Sequence, residues 1–288
     1  MEKQLSDKGK LESVYNETVK FAKSHYENFP VVSFFLPKNL RKYVAVIYCF
    51  ARQADDIADE GNYSFDQRIE RLNNYKKELS EALQGKFKEP FWEIFYLTVD
   101  KFKLTPQLFF DLLSAFEQDI HKTRYNSSDE LLDYCKRSAN PVGRIILEFF
   151  NIRDVKTIEY SDAICTALQL TNFYQDVSID WLKERIYLPV SEMEKFFVNE
   201  NYFIGKKCDE NFIRLMKLQI EKTYNLFNEG KKLLPLLPHR LRFQIRLTIL
   251  GGVEILKKIE KLNYDVLNFR PKLSIIEYVK LFFKAVVL

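Results

Sequence analysis

Residues 48–61 read YCFARQADDIADEG and combine apolar residues at helical spacing with two aspartates, Asp55 and Asp59. The aspartates are four positions apart, so on an α-helix both carboxylates lie on one face. That face is the flank of the apolar stripe, and Tyr48 and Arg52 share it. Two like charges on a half-buried face are destabilising unless a cation neutralises them. The stretch therefore predicts an amphipathic helix that presents two carboxylates to a cation.

A second pair with the same spacing, Asp176 and Asp180, follows in LQLTNFYQDVSIDW (168–181). On a continuous helix, Gln169 and Asn172 lie on the same flank as these two aspartates. Amide and carboxylate oxygens stacked over about three helical turns are ligands that hard divalent cations such as Mg²⁺ prefer. One such pair alone is also typical of a solvated, salt-bridging helix surface. The presence of two pairs favours a metal site held by both acidic helices.

Basic residues accompany both acidic pairs. Arg52 shares the first acidic face, and Lys183 and Arg185 come shortly after the second pair. Mg²⁺ between acidic helices suggests diphosphate chemistry, because metal ions and basic side chains neutralise a diphosphate and help it leave as an anion. Asp56 and Glu60 point away from the first acidic face and are expected to form a solvated outer face. Ordinary surface charge is the alternative interpretation of the basic residues, above all of Lys183.

The chain is predicted to be all-α, with a single domain over residues 1–288. Most segments place apolar residues at helical spacing, strand-like alternation is rare, and no linker or fixed-period repeat is visible. Aromatic residues make up 15% of the chain; most of them suit core packing, and a fraction suits the wall of a tunnel for a long hydrocarbon. The predicted helices span residues 11–27, 41–60, 65–84, 91–101, 106–122, 129–149, 157–182, 209–233, 238–262 and 274–286.

Charge and composition limit the class of partner. Lys+Arg 44 against Asp+Glu 40 gives a net charge of +4, which suits an anionic ligand or lipid surface and is too small for nucleic acid. The amino terminus lacks a secretory pattern, and no apolar run reaches the roughly 18–20 residues that span a bilayer. The four cysteines lack pairing or metal-ligand spacing. We therefore expect a cytoplasmic protein whose last residues, YVKLFFKAVVL, are a candidate peripheral membrane contact.

Other chemistries lack their motifs. A P-loop and a Gly-x-Gly-x-x-Gly fingerprint are missing, so neither nucleotide hydrolysis nor a Rossmann nicotinamide site is indicated. A di-iron carboxylate bundle needs a glutamate three residues before a histidine, and His25, His121 and His239 all lack it.

Four blocks of the chain resemble the squalene and phytoene synthase family of head-to-head prenyl synthases. They are YCFARQADDIADEG (48–61), YCKRSANPVGR (134–144), LQLTNFYQDVSIDWLKERIYLP (168–189) and KLNYDVLNFRP (261–271). The resemblance implies an all-α isoprenoid-synthase bundle with a central hydrophobic tunnel for farnesyl-sized chains. It also implies Mg²⁺ bound through the two acidic helices.

Shorter stretches are most similar to the hydroxysqualene synthase branch of bacterial hopanoid biosynthesis: HYENFPVVSFFLP (25–37), SANPVGR, TNFYQDV and GGVEILKKIE. This branch implies conversion of presqualene diphosphate, supplied by a pathway partner, to hydroxysqualene and diphosphate, with Mg²⁺ and without a nicotinamide cofactor. The nearest alternative is a head-to-head synthase that condenses farnesyl or geranylgeranyl diphosphate to presqualene diphosphate, squalene or phytoene. Alternatives of another class are a non-catalytic assembly factor and a lipid-carrier bundle, although all four motif aspartates are present.

The resemblance assigns roles to individual residues. Positions that match metal ligands are Asp55, Asp59, Asn172, Asp176 and Asp180. Arg52 and Gln169 match diphosphate contacts, and the full set of predicted substrate contacts is Tyr48, Arg52, Gln169, Asn172, Lys183, Arg185 and Tyr187. Tyr134 aligns with a family tyrosine near the ionising centre and is expected to be catalytic together with the four aspartates. Packing under a helix break at Asn140–Pro141 is the alternative role for Tyr134.

The chain also departs from the family pattern. Gln175 stands where many relatives have arginine, so one diphosphate partner is expected to be absent or replaced. Glu184 stands where glycine usually begins the GRIYLP signature, which predicts a stiffer loop. Near Gly251 and Gly252 several relatives have a tyrosine that reaches the diphosphate. We hypothesise that the space vacated there admits the water that quenches the cation.

Overall fold

A computed structural model describes residues 2–24 and 36–287, and these residues form α-helices joined by turns, loops and two 3-10 helices, Trp181–Lys183 and Lys231–Leu236. The first seven helices are Glu2–Ser24 (α1), Lys38–Asp59 (α2), Phe65–Leu83 (α3), Pro90–Phe102 (α4), Gln107–His121 (α5), Ser128–Ser138 (α6) and Asn140–Phe149 (α7). They are followed by Val155–Gln175 (α8), Val177–Asp180 (α9), Val190–Lys195 (α10), Asn201–Ile204 (α11), Glu210–Gly230 (α12), His239–Lys261 (α13) and Ile275–Val287 (α14). The described part contains no strand beyond one isolated bridge between Arg124 and Ile186, which confirms the all-α prediction.

Two of the predicted helices are interrupted in the structure, and the first begins at Glu2 rather than at residue 11. The predicted helix over 129–149 is two helices, because the chain turns at Ala139 and Pro141 cannot donate a backbone hydrogen bond within a continuing helix. The predicted helix over 157–182 stops at Gln175 and resumes after Asp176. Residues 25–27 of the first predicted helix, and most of the block 25–37, lie outside the described residues. The short helices α10 and α11 were not predicted, since a single turn has no periodic signal.

Polar side chains at the N-cap position fix where several helices begin. Ser64 and Gln67 form a reciprocal capping box at the start of α3. Ser127, Asp154 and Asp209 accept hydrogen bonds from the first backbone amides of α6, α8 and α12 respectively. The helix that leads to the second acidic pair, α8, therefore has a start that its sequence defines.

The chain divides into two compact units. The first comprises residues 1–121 and 144–153, and in it α2 packs against α1, α3, α4 and α5. Phe50 on α2 lies at the centre of its aromatic core, with ring centroids 5.0 Å from Phe95, 5.4 Å from Phe109 and 5.5 Å from Tyr75. The core thereby buries one face of α2 and sets which face carries the first acidic pair. The single domain over 1–288 stays a prediction.

The second unit comprises residues 122–143 and 154–288. Its central helix is α8, which packs against α6, α12 and α13. The side chains that α8 buries point in several directions around the helix, so α8 has no broad solvent face. The second acidic pair therefore follows a helix that is enclosed on most sides.

None of the described helices is long and apolar enough to cross a bilayer. All four cysteines are free. Burial raises the pKa of the Cys49 and Cys135 thiols to about 12, so these two side chains act as small apolar core residues.

Candidate active site

The first acidic pair lies on α2, on the flank that the sequence predicts. Ala54 and Ala58 are fully buried on the core side of the helix. Asp55 and Asp59 are half-buried beside them, and Tyr48 and Arg52 are half-buried about two turns and one turn before Asp55. The structure therefore brings these four predicted site residues to one half-buried face of α2. The carboxylates are accessible to a ligand while the helix backbone is held in the core.

Arg52 is shared among three carboxylates of the same helix. Its guanidinium lies 2.7 Å from Asp56 and 2.6 Å from Glu60, and 3.4 Å from Asp55. Glu60 is exposed and Asp56 is partly exposed, as predicted for an outer face. The sequence did not predict their ion pairs with Arg52, whose long side chain reaches the acids one and two turns along the helix. Arg52 therefore spreads positive charge along the whole acidic end of α2.

A residue that the sequence did not single out holds the carboxyl end of α2. Arg68 on α3 donates to the backbone carbonyls of Ile57, Ala58 and Glu60, at 3.1, 2.8 and 3.0 Å, and to that of Gly61 at 2.8 Å. The last carbonyls of a helix have no partner within the helix, and a cation there also offsets the helix dipole. Arg68 thus fixes the backbone at the turn that carries Asp59.

The second acidic pair lies where α8 ends. Asp176 has φ −104° and ψ 12°, so it interrupts the helix between α8 and α9. Its amide still donates to the carbonyl of Asn172 at 2.9 Å, and the amide of Asp180 donates to the carbonyl of Asp176 at 2.8 Å. The helical register therefore continues across the interruption. Gln169, Asn172, Asp176 and Asp180 are all half-buried, as the predicted flank requires.

The loop after α13 is attached to this end of α8 by side chains from two consecutive positions. Arg270 donates through Nε and Nη2 to the two carboxylate oxygens of Asp176. Gln175 is buried, and its amide donates to the carbonyl of Pro271 at 2.7 Å. Gln175 is therefore a structural contact, and the arginine that neutralises Asp176 comes from position 270. The family-like block KLNYDVLNFRP contained Arg270, but nothing in the sequence indicated its partner.

Four aromatic rings form a cluster beside α8, here called the tyrosine cluster: Tyr125, Tyr134, Phe173 and Tyr187. Phe173 and Tyr187 stack with centroids 3.7 Å apart and planes 7° apart. The Tyr134 centroid lies 5.6 Å from Tyr125, 6.1 Å from Phe173 and 6.4 Å from Tyr187. Of the predicted residues, Tyr134 and Tyr187 are thus brought together, while Phe173 and Tyr125 were missed. Aromatic composition alone does not identify which rings meet.

The three predicted substrate contacts that follow the second acidic pair differ in how far they are exposed. Lys183 is exposed, whereas Arg185 and Tyr187 are half-buried. Between them Glu184 adopts the left-handed conformation, with φ 56° and ψ 26°. A side chain is disfavoured at positive φ, so the backbone at position 184 favours glycine.

The hypothesis of an open space at Gly252 was wrong. Gly252 is buried in α13, and a Cβ atom there would lie 2.6 Å from Cζ of Phe227 and 3.0 Å from Cδ2 of Leu168. The glycine permits the close approach of α13 to Phe227 on α12 and Leu168 on α8. A tyrosine at this position would require the Phe227 and Leu168 side chains to move, so the position is filled by its neighbours and is not an open space.

The described residues contain no group of three or more His, Cys, Asp and Glu side chains placed to hold a metal ion. The donors on each acidic helix still fit Mg²⁺, which binds through one or two carboxylates and completes its shell with water and phosphate oxygens. Asp55 and Asp59 are half-buried on α2, and Asn172, Asp176 and Asp180 are half-buried at the end of α8. Each of these two segments therefore offers part of a ligand set for Mg²⁺.

Comparisons with known proteins agree with this architecture. A sequence model of squalene/phytoene synthases matches residues 22–277. The hydroxysqualene synthase of Sinorhizobium fredii is 31% identical over 254 residues, 87% of this chain and 85% of that protein. The phytoene synthase of Arthrospira platensis is 28% identical over 266 residues, 88% of this chain and 84% of that protein. The crystal structure of squalene synthase HpnC from Alicyclobacillus acidocaldarius has 34% identity and a TM-score of 0.84, covering 88% of this chain and 96% of that one.

The helical fold with its two acidic helices is thus an isoprenoid-synthase fold of the squalene synthase type. The chain belongs to the squalene/phytoene synthase family, whose members are enzymes that act on prenyl diphosphates.

Proposed function

We propose that the protein converts presqualene diphosphate and water to hydroxysqualene and diphosphate, with Mg²⁺ as cofactor. The proposal rests on one observation: at the end of α8, proposed ligands of the metal and diphosphate lie next to the tyrosine cluster. Asn172 and Asp176 are half-buried there, and Phe173 between them belongs to the tyrosine cluster. A leaving anion and a carbocation require these two environments side by side.

The proposed reaction begins with rupture of the bond between carbon and the diphosphate oxygen, and the electron pair leaves with diphosphate. Mg²⁺, when bound, neutralises the charge of this leaving group. Asp55, Asp59, Asn172, Asp176 and Asp180 are the proposed metal ligands, and Arg52, Gln169, Lys183 and Arg185 the proposed diphosphate contacts. The cyclopropylcarbinyl cation rearranges, water adds to the product cation, and the added water loses a proton. No nicotinamide is needed, because no carbon is reduced.

In this proposal the tyrosine cluster stabilises the carbocation and shields it from water. Aromatic faces attract a carbocation by about 0.5–2 kcal/mol each. Tyr134 is buried and Tyr187 half-buried against Phe173, so the cluster keeps bulk water from the cation until the rearrangement is complete. Tyr48, at the start of the acidic face of α2, is a further proposed substrate contact.

Relatives named hydroxysqualene synthase support the choice of substrate, and the phytoene synthase relative supports a second candidate, condensation of farnesyl or geranylgeranyl diphosphate. In the first case a partner enzyme must supply presqualene diphosphate, as in hopanoid biosynthesis. A cytoplasmic location belongs to the same proposal.

A product assay separates the candidates. Purified protein is incubated with presqualene, farnesyl or geranylgeranyl diphosphate, with and without Mg²⁺ and without NADPH, and the extracted lipids are analysed by mass spectrometry. We expect hydroxysqualene from presqualene diphosphate alone. We expect Asp55→Asn and Asp176→Asn to abolish turnover while the protein stays folded. Asp133→Asn, which alters an exposed acid paired with Arg137, is the control and should retain turnover. A C30 or C40 product from farnesyl or geranylgeranyl diphosphate would reject the proposal in favour of the condensing enzyme.

A further inference from the structure

The carboxy-terminal helix α14 has one side packed against α13. Leu281 and Ala285 are buried on this side. Phe282 contacts Phe243 of α13 with ring centroids 5.4 Å apart, and Arg246 of α13 donates to the carbonyl of Ala285 at 3.0 Å. These contacts fix the rotation of α14 about its axis, and therefore which residues it turns outward.

The outer side of α14 is also apolar, and it is exposed. Ile275, Ile276 and Phe283 are 82%, 69% and 63% exposed, and Val279 and Val286 are 49% and 59% exposed. Their spacing places them on one face of the helix, opposite Leu281 and Ala285. Single exposed apolar residues are ordinary, but a contiguous apolar face on a fixed helix marks an interaction surface. We call these five residues the outer face of α14.

The charges around the outer face are positive. Lys280 and Lys284 are exposed along one edge of it. Glu277 is the one acidic residue in the sequence of α14, and it forms an ion pair with Lys258 of α13 at 2.7 Å and accepts hydrogen bonds from Ser274. The Lys258 contact, with the Ser274 bonds, lowers the pKa of Glu277 to about 2, so this ion pair persists at neutral pH. The outer face therefore combines an apolar strip with two lysines at its edge and no uncompensated acid.

We propose that the outer face of α14 docks on the surface of a lipid bilayer that contains anionic lipids. Isoleucine, valine and phenylalanine side chains enter the boundary between headgroups and acyl chains, and lysines beside them extend to the phosphates. A second copy of the chain fits less well, because pairing two outer faces would bring lysines of like charge together. The docking rests on α14 alone. It also suits the proposed function, whose substrate and product carry long hydrocarbon chains that dissolve in a membrane.

The test is sedimentation of the full-length protein with unilamellar vesicles, either pure phosphatidylcholine or a mixture with phosphatidylglycerol. Three variants are compared with the wild type. Ile276→Glu/Phe283→Glu removes the apolar strip, Lys280→Gln/Lys284→Gln removes the edge charge, and Val155→Glu changes a residue of α8 that is 72% exposed and serves as the control. We expect the wild type and the control to bind mixed vesicles. We expect the apolar variant to bind at least tenfold more weakly and the lysine variant several-fold more weakly.

Several results would overturn the proposal. Wild-type protein that stays in the supernatant with mixed vesicles would do so, as would equal sedimentation of Ile276→Glu/Phe283→Glu. Equal binding to pure phosphatidylcholine would reject the role of anionic lipid. A wild type that is dimeric by light scattering and becomes monomeric in the apolar variant would assign the outer face to a second copy. Turnover of detergent-dissolved substrate is measured in parallel: failure of the proposed function removes turnover from the wild type, whereas loss of docking leaves it intact in the variants.

Discussion

Arg270 and Asp176 form a two-point ion pair that joins the loop after α13 to the end of α8. Nε of Arg270 donates to Oδ1 of Asp176, and Nη2 donates to Oδ2 at 3.0 Å. The side chains are 30% and 23% exposed, so water screens the pair less than a surface ion pair. A proposed metal ligand is thus oriented by a residue far from it in the sequence. Arg270 is therefore a positioning residue for the second acidic helix.

A double-mutant cycle on this pair is the first prediction. Arg270→Gln leaves a half-buried carboxylate without its cation, and we expect the free energy of unfolding to fall by about 1–2 kcal/mol. Combining it with Asp176→Asn removes both charges, so the double variant should be more stable than the sum of the single changes predicts. The expected coupling energy is about 1 kcal/mol, measured by urea unfolding. The control is the i,i+4 pair Arg137–Asp133, whose carboxylate is 61% exposed, and about 0.3 kcal/mol is expected there. Strict additivity at Arg270 and Asp176 would show that the contact does not stabilise the loop.

The cap on α2 leads to the second prediction. Arg68→Ala removes the guanidinium donors to four backbone carbonyls at the end of α2, and we expect the free energy of unfolding to fall by about 1–2 kcal/mol. Arg68→Lys should recover only part of it, because an ammonium group cannot form the same fork of hydrogen bonds. Hydrogen exchange of the Glu60 amide, which donates to Asp56 at 2.9 Å, should quicken in Arg68→Ala. The turnover of Arg68→Ala should also fall, because Asp59 lies in the turn that loses its cap.

Arg71→Ala is the matched control for the cap. Arg71 lies on the same helix, α3, and its guanidinium stacks on Tyr63 at 4.1 Å from the ring centroid. Arg71→Ala removes this stacking contact and should leave the hydrogen exchange of the Glu60 amide unchanged. Equal exchange in Arg68→Ala and Arg71→Ala would mean that the cap does not hold the end of α2.

The sequence predicted the acidic helices because their signal is local. Asp55 and Asp59, like Asp176 and Asp180, are one turn apart, so helical periodicity alone places each pair on one face. The contacts that orient them are not local. Arg270 lies 94 residues from Asp176, so only the tertiary fold reveals this pair.

The same distinction explains the errors. An open space was predicted at Gly252 because the sequence shows that glycine has no side chain but not which neighbours fill its place. The structure shows that the Phe227 ring occupies the space that a Cβ atom would enter. The ion pairs of Asp56 and Glu60 with Arg52 were missed because the helical wheel shows directions and not the reach of the Arg52 side chain. The first case depends on packing and the second on side-chain length, and helical periodicity encodes neither.

A buried glutamate gives the third prediction, which concerns pH. Burial by itself raises the pKa of Glu192, but hydrogen bonds from Lys222, Ser128 and Gln219 outweigh it and hold the pKa below its ordinary value. A carboxyl group with a lowered folded-state pKa stabilises the fold above its unfolded-state pKa of about 4.3. That contribution is lost as the pH falls through the folded-state pKa. Stability should therefore decline in acid partly through Glu192.

Glu192→Gln tests this directly. It removes the ion pair with Lys222 in a site where the carboxylate is 7% exposed, and we expect about 2 kcal/mol less stability at pH 7. Once the pH has fallen below the folded-state pKa of Glu192, the variant and the wild type should converge, because both then carry a neutral group. Glu229→Gln, in an exposed pair with Lys232, should cost about 0.5 kcal/mol or less. A constant difference between Glu192→Gln and wild type at every pH would contradict the assignment of charge to Glu192.

The left-handed residue Glu184 gives the fourth prediction, an increase in stability. A side chain at this φ and ψ costs about 1–2 kcal/mol, and glycine avoids that cost but loses up to about 1 kcal/mol through the flexibility of the unfolded chain. Glu184→Gly should therefore raise the free energy of unfolding by about 0.5–1 kcal/mol. The hydrogen bond from Arg124 is made to the backbone carbonyl of Glu184, so glycine retains it. Lys183→Gly, one residue earlier in a right-handed turn, should lower stability instead. Urea unfolding of both variants checks the sign: if Glu184→Gly also destabilises, the side chain of Glu184 contributes a contact that outweighs its backbone strain.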